Sequence, residues 1–250
     1  MLGLERYAPR SHSMPIGTRR CKEQGDWMIR RLLLVLLVPL GILLAESGGG
    51  AVTGQSESAN QFVKAAAQAL TSARSFRMSG TLAASGGSSS VDLVLFSNND
   101  VEGNLTGEGN LLHVVVVNGT DYFQASAAYW QKVGHLSLNL AKSIASDWIS
   151  FPNSGPDGFG SSLGFSSLAS SMKTDAGVSI VGHKKVDGHA AVGVKCTGGS
   201  VLWIAATGTP YPILEVKQGS GGGSLKFSGW NSFKWPKAPK GAIALSSLHS

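Results

Sequence analysis

The chain has 250 residues, of which 42% are hydrophobic and 14% charged, and it carries a formal net charge of +6. Seven Lys/Arg against three Asp/Glu fall within residues 1–31, which leaves fourteen against twelve, or +2, for the rest. A nucleic-acid-binding domain keeps a clustered basic face of its own, so that class is excluded. The only cysteines, Cys21 and Cys196, exclude an internal disulfide framework in the part after the leader.

Residues 1–51 read as a leader. The uncharged run LLLVLLVPLGILLA (32–45) follows Arg30 and Arg31 and precedes Gly48, Gly49, Gly50 and Ala51. It is shorter than the roughly twenty residues of a membrane span and has the length of a signal-peptide core. An uncleaved anchor is the other reading. The stretch Met28-Ile29-Arg30-Arg31 makes a compact charged start, so synthesis is expected to begin at Met28. Residues 52–58 read as a flexible spacer. A single domain over 59–250 follows.

An Ala-rich helix is expected from Ser58 to Arg74, with Phe62, Ala66, Ala69 and Leu70 at helical spacing. A meander of strands comes next. SFRMSGTLAA (75–84) alternates, and VDLVLFS, VEGNLTGE and GNLLHVVVV follow, with turns at Gly86-Gly87-Ser88, Asn98-Asn99-Asp100 and Gly109-Asn110. Asn118-Gly119 is a strong hairpin signal before the run ending in Tyr129 and Trp130. Five strands joined by such short turns must be antiparallel.

Residues 136–150 read as a helix through Leu140, Ile144 and Trp148, and residues 165–173 as a shorter one. Strands resume at Val178, with turns at Asp187-Gly188, Gly198-Gly199 and GTPYP. Two antiparallel blocks around a helical insertion, with a long helix in front, make one α+β domain. Several strands are apolar on both faces: Leu93 and Leu95 oppose Val94 and Phe96, and Val201 and Trp203 oppose Leu202 and Ile204. Either the two blocks pack as a filled sandwich, or incomplete cover leaves an apolar space that binds something.

The chain offers no convincing active site, and no catalytic residue, metal or cofactor is expected. Gly160-Ser161-Ser162-Leu163-Gly164 matches G-x-S-x-G, but lacks the strand-to-helix turn of a parallel sheet that makes Ser162 a nucleophile. His183 and His189 flank a turn with Asp187 as the one carboxylate close by, short of a zinc ligand set. Asp92, Asp100, Glu102 and Glu108 fall at strand edges or turns, without the apolar pairing that acid–base work needs. Cys196 follows Val192 and Val194 at even spacing and reads as a small buried hydrophobe. Lys234, Lys237 and Lys240, among Trp235, Pro236 and Pro239, read as a solvated tail.

Four stretches in this order carry a resemblance: the helix with "SFRMSGTL"; "VNGTDYFQASAAYW"; "VDGHAAVGVK"; and "LWIAATGTPYPILEV" with "FSGWNSFKWPKAP". From about Ala59 to Ile243 the chain resembles the LolA/LppX/LprG-like carriers of bacterial envelopes, actinobacterial type. The resemblance implies a strongly curved antiparallel half-barrel wrapped around helices. It also implies an exported, monomeric carrier whose apolar space holds acyl lipid, glycolipid or lipoprotein cargo, with a transfer partner at the membrane. Many relatives carry a lipobox cysteine after the signal core, and "GILLAESGGG" has none. On this reading the lining is Phe76, Met78, Leu82, Leu93, Leu95, Leu112, Val114, Val116, Val192, Val194, Leu214, Val216, Leu225 and Phe227, the strand faces opposite the charged residues. Leu140, Ile144 and Trp148 form an adjustable lid. The competing function is an envelope interaction or sensor module on the same scaffold, without lipid cargo.

Overall fold

A computed structural model describes residues 53–84, 87–151, 158–173, 178–196, 199–219 and 222–249. The leader expected over 1–51, with its start at Met28, lies outside them. Helix α1 (Thr53–Ser72) begins at the second residue of the expected spacer. It turns Val63, Ala66, Ala67 and Leu70, a repeat of three and four residues, into the core. Small alanines let the helix axis lie close to the strands beneath it. Among the described residues no helix is long and apolar enough to cross a membrane.

Strands β1 (Ser75–Ala84), β2 (Gly87–Phe96), β3 (Val101–Gly107), β4 (Asn110–Val117) and β5 (Thr120–Ala125) form the expected meander. Helices α2 (Ala127–Lys132) and α3 (Leu138–Ser143) interrupt it before β6 (Ile149–Phe151). Helices α4 (Phe159–Ser162) and α5 (Phe165–Lys173) lead to β7 (Ser179–Val186), β8 (His189–Lys195), β9 (Ser200–Ala205), β10 (Pro212–Lys217) and β11 (Gly223–Ser228). The chain then crosses to β12 (Ile243–Ala244) and a terminal 3₁₀ turn (Leu245–His249).

All twelve strands join one open, curved sheet in the order β12-β6-β5-β4-β3-β2-β1-β11-β10-β9-β8-β7. The two blocks therefore do not stack as a sandwich. They meet edge to edge through the antiparallel pair β1–β11, with Met78 opposite Phe227 and Gly80 opposite Leu225. The sheet is antiparallel throughout except at one edge, where β12 runs parallel to β6. The α+β half-barrel is the fold.

Two sequence expectations fail between β5 and β6. Tyr129 and Trp130 belong to α2 and do not extend β5, because Ser126 accepts a hydrogen bond from the Tyr129 N–H and starts a helix there. The expected helix over 136–150 stops at Ser143. Ile149, fully buried, pairs as a strand residue opposite Phe123 and so removes Trp148 from the helical repeat.

Curvature has a local cause. Gly103 lies on the inward face between Leu93 and Val114, at φ 150°, and a Cβ there would stand 2.2 Å from the Asp92 carbonyl oxygen. At Gly80 the same atom would stand 1.9 Å from the Ser224 carbonyl oxygen. Bare backbone at inward positions lets adjoining strands close on one another, as at a barrel corner. On the outer face Arg77 donates twice to Asp92, at 2.6 Å each, which holds the Asp92 carboxyl below the usual range. Substituting Gly103→Ala should cost more than about 2 kcal/mol in urea unfolding, since it forces both a strained φ and a backbone shift.

Candidate functional site

The register sorts every strand residue onto the inner or the outer face. On the inner face, the upper row beside the turn at Asn98–Asp100 runs Phe76, Leu95, Val101 and Val116, and all four are buried. The next row, Phe227, Met78, Leu93, Val114, Phe123 and Ile149, is also buried. Further down, Leu105 and Leu112 remain buried toward β4, whereas Leu225 and Gly80 are half-buried near β11. At the lower end Leu82 and Gly223 are half-buried as well. The apolar face thus grades from sealed to partly open along β1 and β11.

Aromatic rings seal the upper end. Phe76 stacks on Trp230 with centroids 4.6 Å apart and meets Phe165, the first residue of α5, at 5.0 Å. Trp230 stacks in turn on Tyr211 at 4.2 Å, and the Tyr211 hydroxyl accepts from the Asn231 amide at 3.0 Å. A second group joins Phe123, Phe151 and Phe159. Beside it the buried Asp121 carboxylate accepts from the Phe159 N–H at 3.2 Å and fixes the start of α4.

The helices divide the inner face between them. α1 packs against α5 and over β7 to β9. The short helix α2 covers the lower end of β4 and α3 packs on α2, the pair tied down by the Lys132–Glu108 ion pair and by the Ser146 N–H on the Ala125 carbonyl at 3.1 Å. Between these two covers lie the half-buried Leu82 and Leu225. Trp130 is buried in α2, and its indole N–H has no hydrogen-bond acceptor among the described residues. Burial pushes the neighbouring Tyr129 hydroxyl above its ordinary range.

Of the residues expected to line the interior, Phe76, Met78, Leu93, Leu95, Leu112, Val114, Val116, Val192, Val194 and Phe227 share one buried cluster with Ile144, and Leu140 and Leu225 pack against it. Leu82 stands at its lower rim, and Trp148 lies half-buried before β6. Leu214 and Val216 are placed otherwise. A register shift between Pro212 and Leu214 turns them outward, Leu214 opposite Trp203 and Lys226, and Glu215 inward opposite Leu202 and Leu225. Charge misled the assignment here, because a half-buried carboxylate near the lower rim still reaches water. Glu215 and Lys217, which shares the face of Gly223, are rim residues that sequence reasoning missed. Only the shift itself could have revealed them.

The remaining chemical candidates have packing explanations. A Cβ on Gly160 would stand 2.2 Å from the Asn99 carbonyl oxygen, and one on Gly164 would stand 2.4 Å from the Asn99 side-chain oxygen. The glycines of the G-x-S-x-G match thus let α4 and α5 press on the Asn99 turn, and the Ser162 hydroxyl donates to the Gly158 carbonyl at 3.2 Å. His183 and His189 are exposed, and among the described residues no three His, Cys, Asp or Glu converge on a metal position. Cys196 is half-buried against the core cluster, its thiol 3.8 Å from the Val194 carbonyl oxygen.

No family model matches the chain, and no curated protein does. Among solved structures the chain is similar to LprF from Mycobacterium bovis, with 16% identity over 73% of this chain and 98% of that one, at a TM-score of 0.51. The lipoprotein LppX of Mycobacterium tuberculosis aligns at 14% identity over 71% and 97%, with a TM-score of 0.45. MucB, in its complex with MucA, aligns at 18% over 73% and 59%, with a TM-score of 0.38. The likeness to LprF shows a shared fold, the half-barrel that the four sequence stretches implied.

The grading of the inner face has a stability consequence. Phe76→Ala, at the sealed end, should cost about 3–5 kcal/mol. Leu82→Ala, at the half-open rim, should cost under about 1.5 kcal/mol, since little burial is lost there. Denaturant midpoints of the two variants check the contrast.

Proposed function

We propose that this protein binds acylated lipid along the lower, half-open part of the inner face and carries it outside the cytoplasm. One observation carries the reading. An unclosed sheet presents an inward apolar face that is sealed by stacked aromatics at one end and left half-covered at Leu82 and Leu225 at the other. Each acyl methylene withdrawn from water there contributes about 0.8 kcal/mol, so one chain supplies ample affinity without a polar anchor.

Polar groups at the rim suit the head of such a ligand. Glu215 and Lys217 share the inner face beside Leu225 and Gly223, and they would meet a glycerol or sugar headgroup at the mouth. A buried donor without an acceptor costs about 1–3 kcal/mol. An ester carbonyl beside the Trp130 indole N–H would relieve that cost. The cover formed by α2 and α3 acts as the lid. An exposed ion pair and a few backbone bonds hold its outer edge, and Tyr129, Trp130, Ala141 and Ile144 anchor it in the core cluster, so its opening would have to withdraw those side chains.

An export signal, expected from the sequence of the leader, supports an action in the envelope or beyond it. The long apolar face supports an acyl chain as the bound part, and the resemblance to envelope carriers extends the cargo class to acyl lipid, glycolipid or lipoprotein. The second reading, a protein-interaction module, has its own observation. The outer face of β7 to β10 carries Val181, 48% exposed, with Trp203, Leu214 and Val216 beside it. A stable protein partner seated there, with no lipid uptake, would favour it.

Titration with a fluorescent fatty acid tests the proposal. The wild-type chain should take up the probe. Leu82→Trp, which fills the rim with an indole, should weaken uptake at least about tenfold while changing stability by less than about 1 kcal/mol. Uptake by neither protein, or equal uptake by both, contradicts the assignment.

A further inference from the structure

Beyond its cargo, the chain carries a surface suited to a charged bilayer. The segment between β11 and β12 is no solvated tail. It leaves the sheet beside β1, where the Asn231 N–H donates to the Ser75 carbonyl at 2.7 Å and the Phe233 N–H to the Ser75 hydroxyl at 3.3 Å. Trp235 then packs on Phe96, an outward residue of β2, with centroids 5.1 Å apart. The segment ends where the Ile243 N–H reaches the Trp148 carbonyl at 2.8 Å and β12 pairs with β6. It forms a strap past six strands.

Its sequence, FKWPKAPKG over 233–241, repeats every three residues, and its burial follows the same period. Phe233 and Pro239 are half-buried and Pro236 is buried, so one edge faces the protein. Lys234, Lys237 and Lys240 form a second edge, all exposed, and Trp235 and Ala238 a third, also exposed. A three-residue period is that of an extended polyproline strand, in which residues three apart align and stand about 9 Å from one another. From Val216 to Ser250 the chain has five lysines and no Asp or Glu. Lys226 is paired with Asp187, and among the described residues the three strap lysines enter no ion pair.

We infer that the strap docks on the surface of an anionic membrane, with the lysine edge on lipid phosphates and the Trp235 edge in the headgroup layer. Flexible ammonium groups suit a plane of headgroups, which offers phosphates at many positions. Tryptophan with one face on protein and the other exposed suits the interface, where its ring is half wet and half apolar. Anionic leaflets attract such lysines from within a Debye length, and salt removes the attraction.

The test uses the full chain and phosphatidylcholine vesicles, with or without phosphatidylglycerol, whose acyl chains are brominated near the headgroup to quench nearby tryptophan. Any attachment through residues 32–45 is common to all variants and cancels in the comparison. With anionic vesicles, Trp235→Phe should abolish a quenched part of the emission. The triple variant Lys234→Gln, Lys237→Gln, Lys240→Gln should reduce that part at least about tenfold, as should high salt. Circular dichroism confirms that the variants stay folded. Equal quenching in all three proteins overturns the inference, and so does equal quenching on neutral vesicles. Lysine-dependent retention on polyglutamate without Trp235 quenching also overturns it, in favour of an acidic protein partner.

Discussion

The pair β1–β11 is the constraint on which the rest depends. Two strands more than a hundred residues apart in the chain run side by side and fuse two meanders into one sheet. Were they to part, each block would present a free edge and an apolar face with too little cover. Joined, they produce a single inner surface wider than any one helix can shelter. Long-range pairing of this kind must overcome loop-closure entropy before it is rewarded. The Phe76 aromatic group, which draws residues from β1, α5, β11 and the segment after it, supplies much of that reward.

Sequence order explains how the cover is distributed. The helix preceding β1 has only to fold back to lie over β7 to β9, and α5 reaches the same region from the other side of the insertion. Helices α2 and α3 arise at the lower end of β5 and stay there. Among the described residues no helical segment begins where it could lie over the lower ends of β1 and β11. The half-buried state of Leu82 and Leu225 is thus a result of connectivity, not of a polar substitution at those positions.

Much of this was legible from residue pattern. Period-two alternation located β1, β-prone runs between turn residues located β2 to β4 and β7 to β11, and the Asn118-Gly119 and Asp187-Gly188 turns adopt the positive φ values that their residues favour. The third turn formed at Glu108-Gly109, one residue earlier than expected, with φ of 50° and 76°. The parts that were not legible depend on distant partners. β6 and β12 are three and two residues long and exist because other strands offer them an edge. A helical repeat through Trp148 is cut by the pairing of Ile149. The faces of Leu214 and Val216 turn on a shift that no local signal announces. The strap was misread because burial by another segment, and not its own composition, makes it part of the fold.

The central claim is that the inner face takes in an acyl chain. Native mass spectrometry of the protein, purified without detergent and then incubated with isotopically labelled phospholipid, tests it most directly. Added masses matching whole acyl lipids, lost on mild activation and exchanged for the label, are expected. A chain that retains only its own mass under both conditions would contradict it.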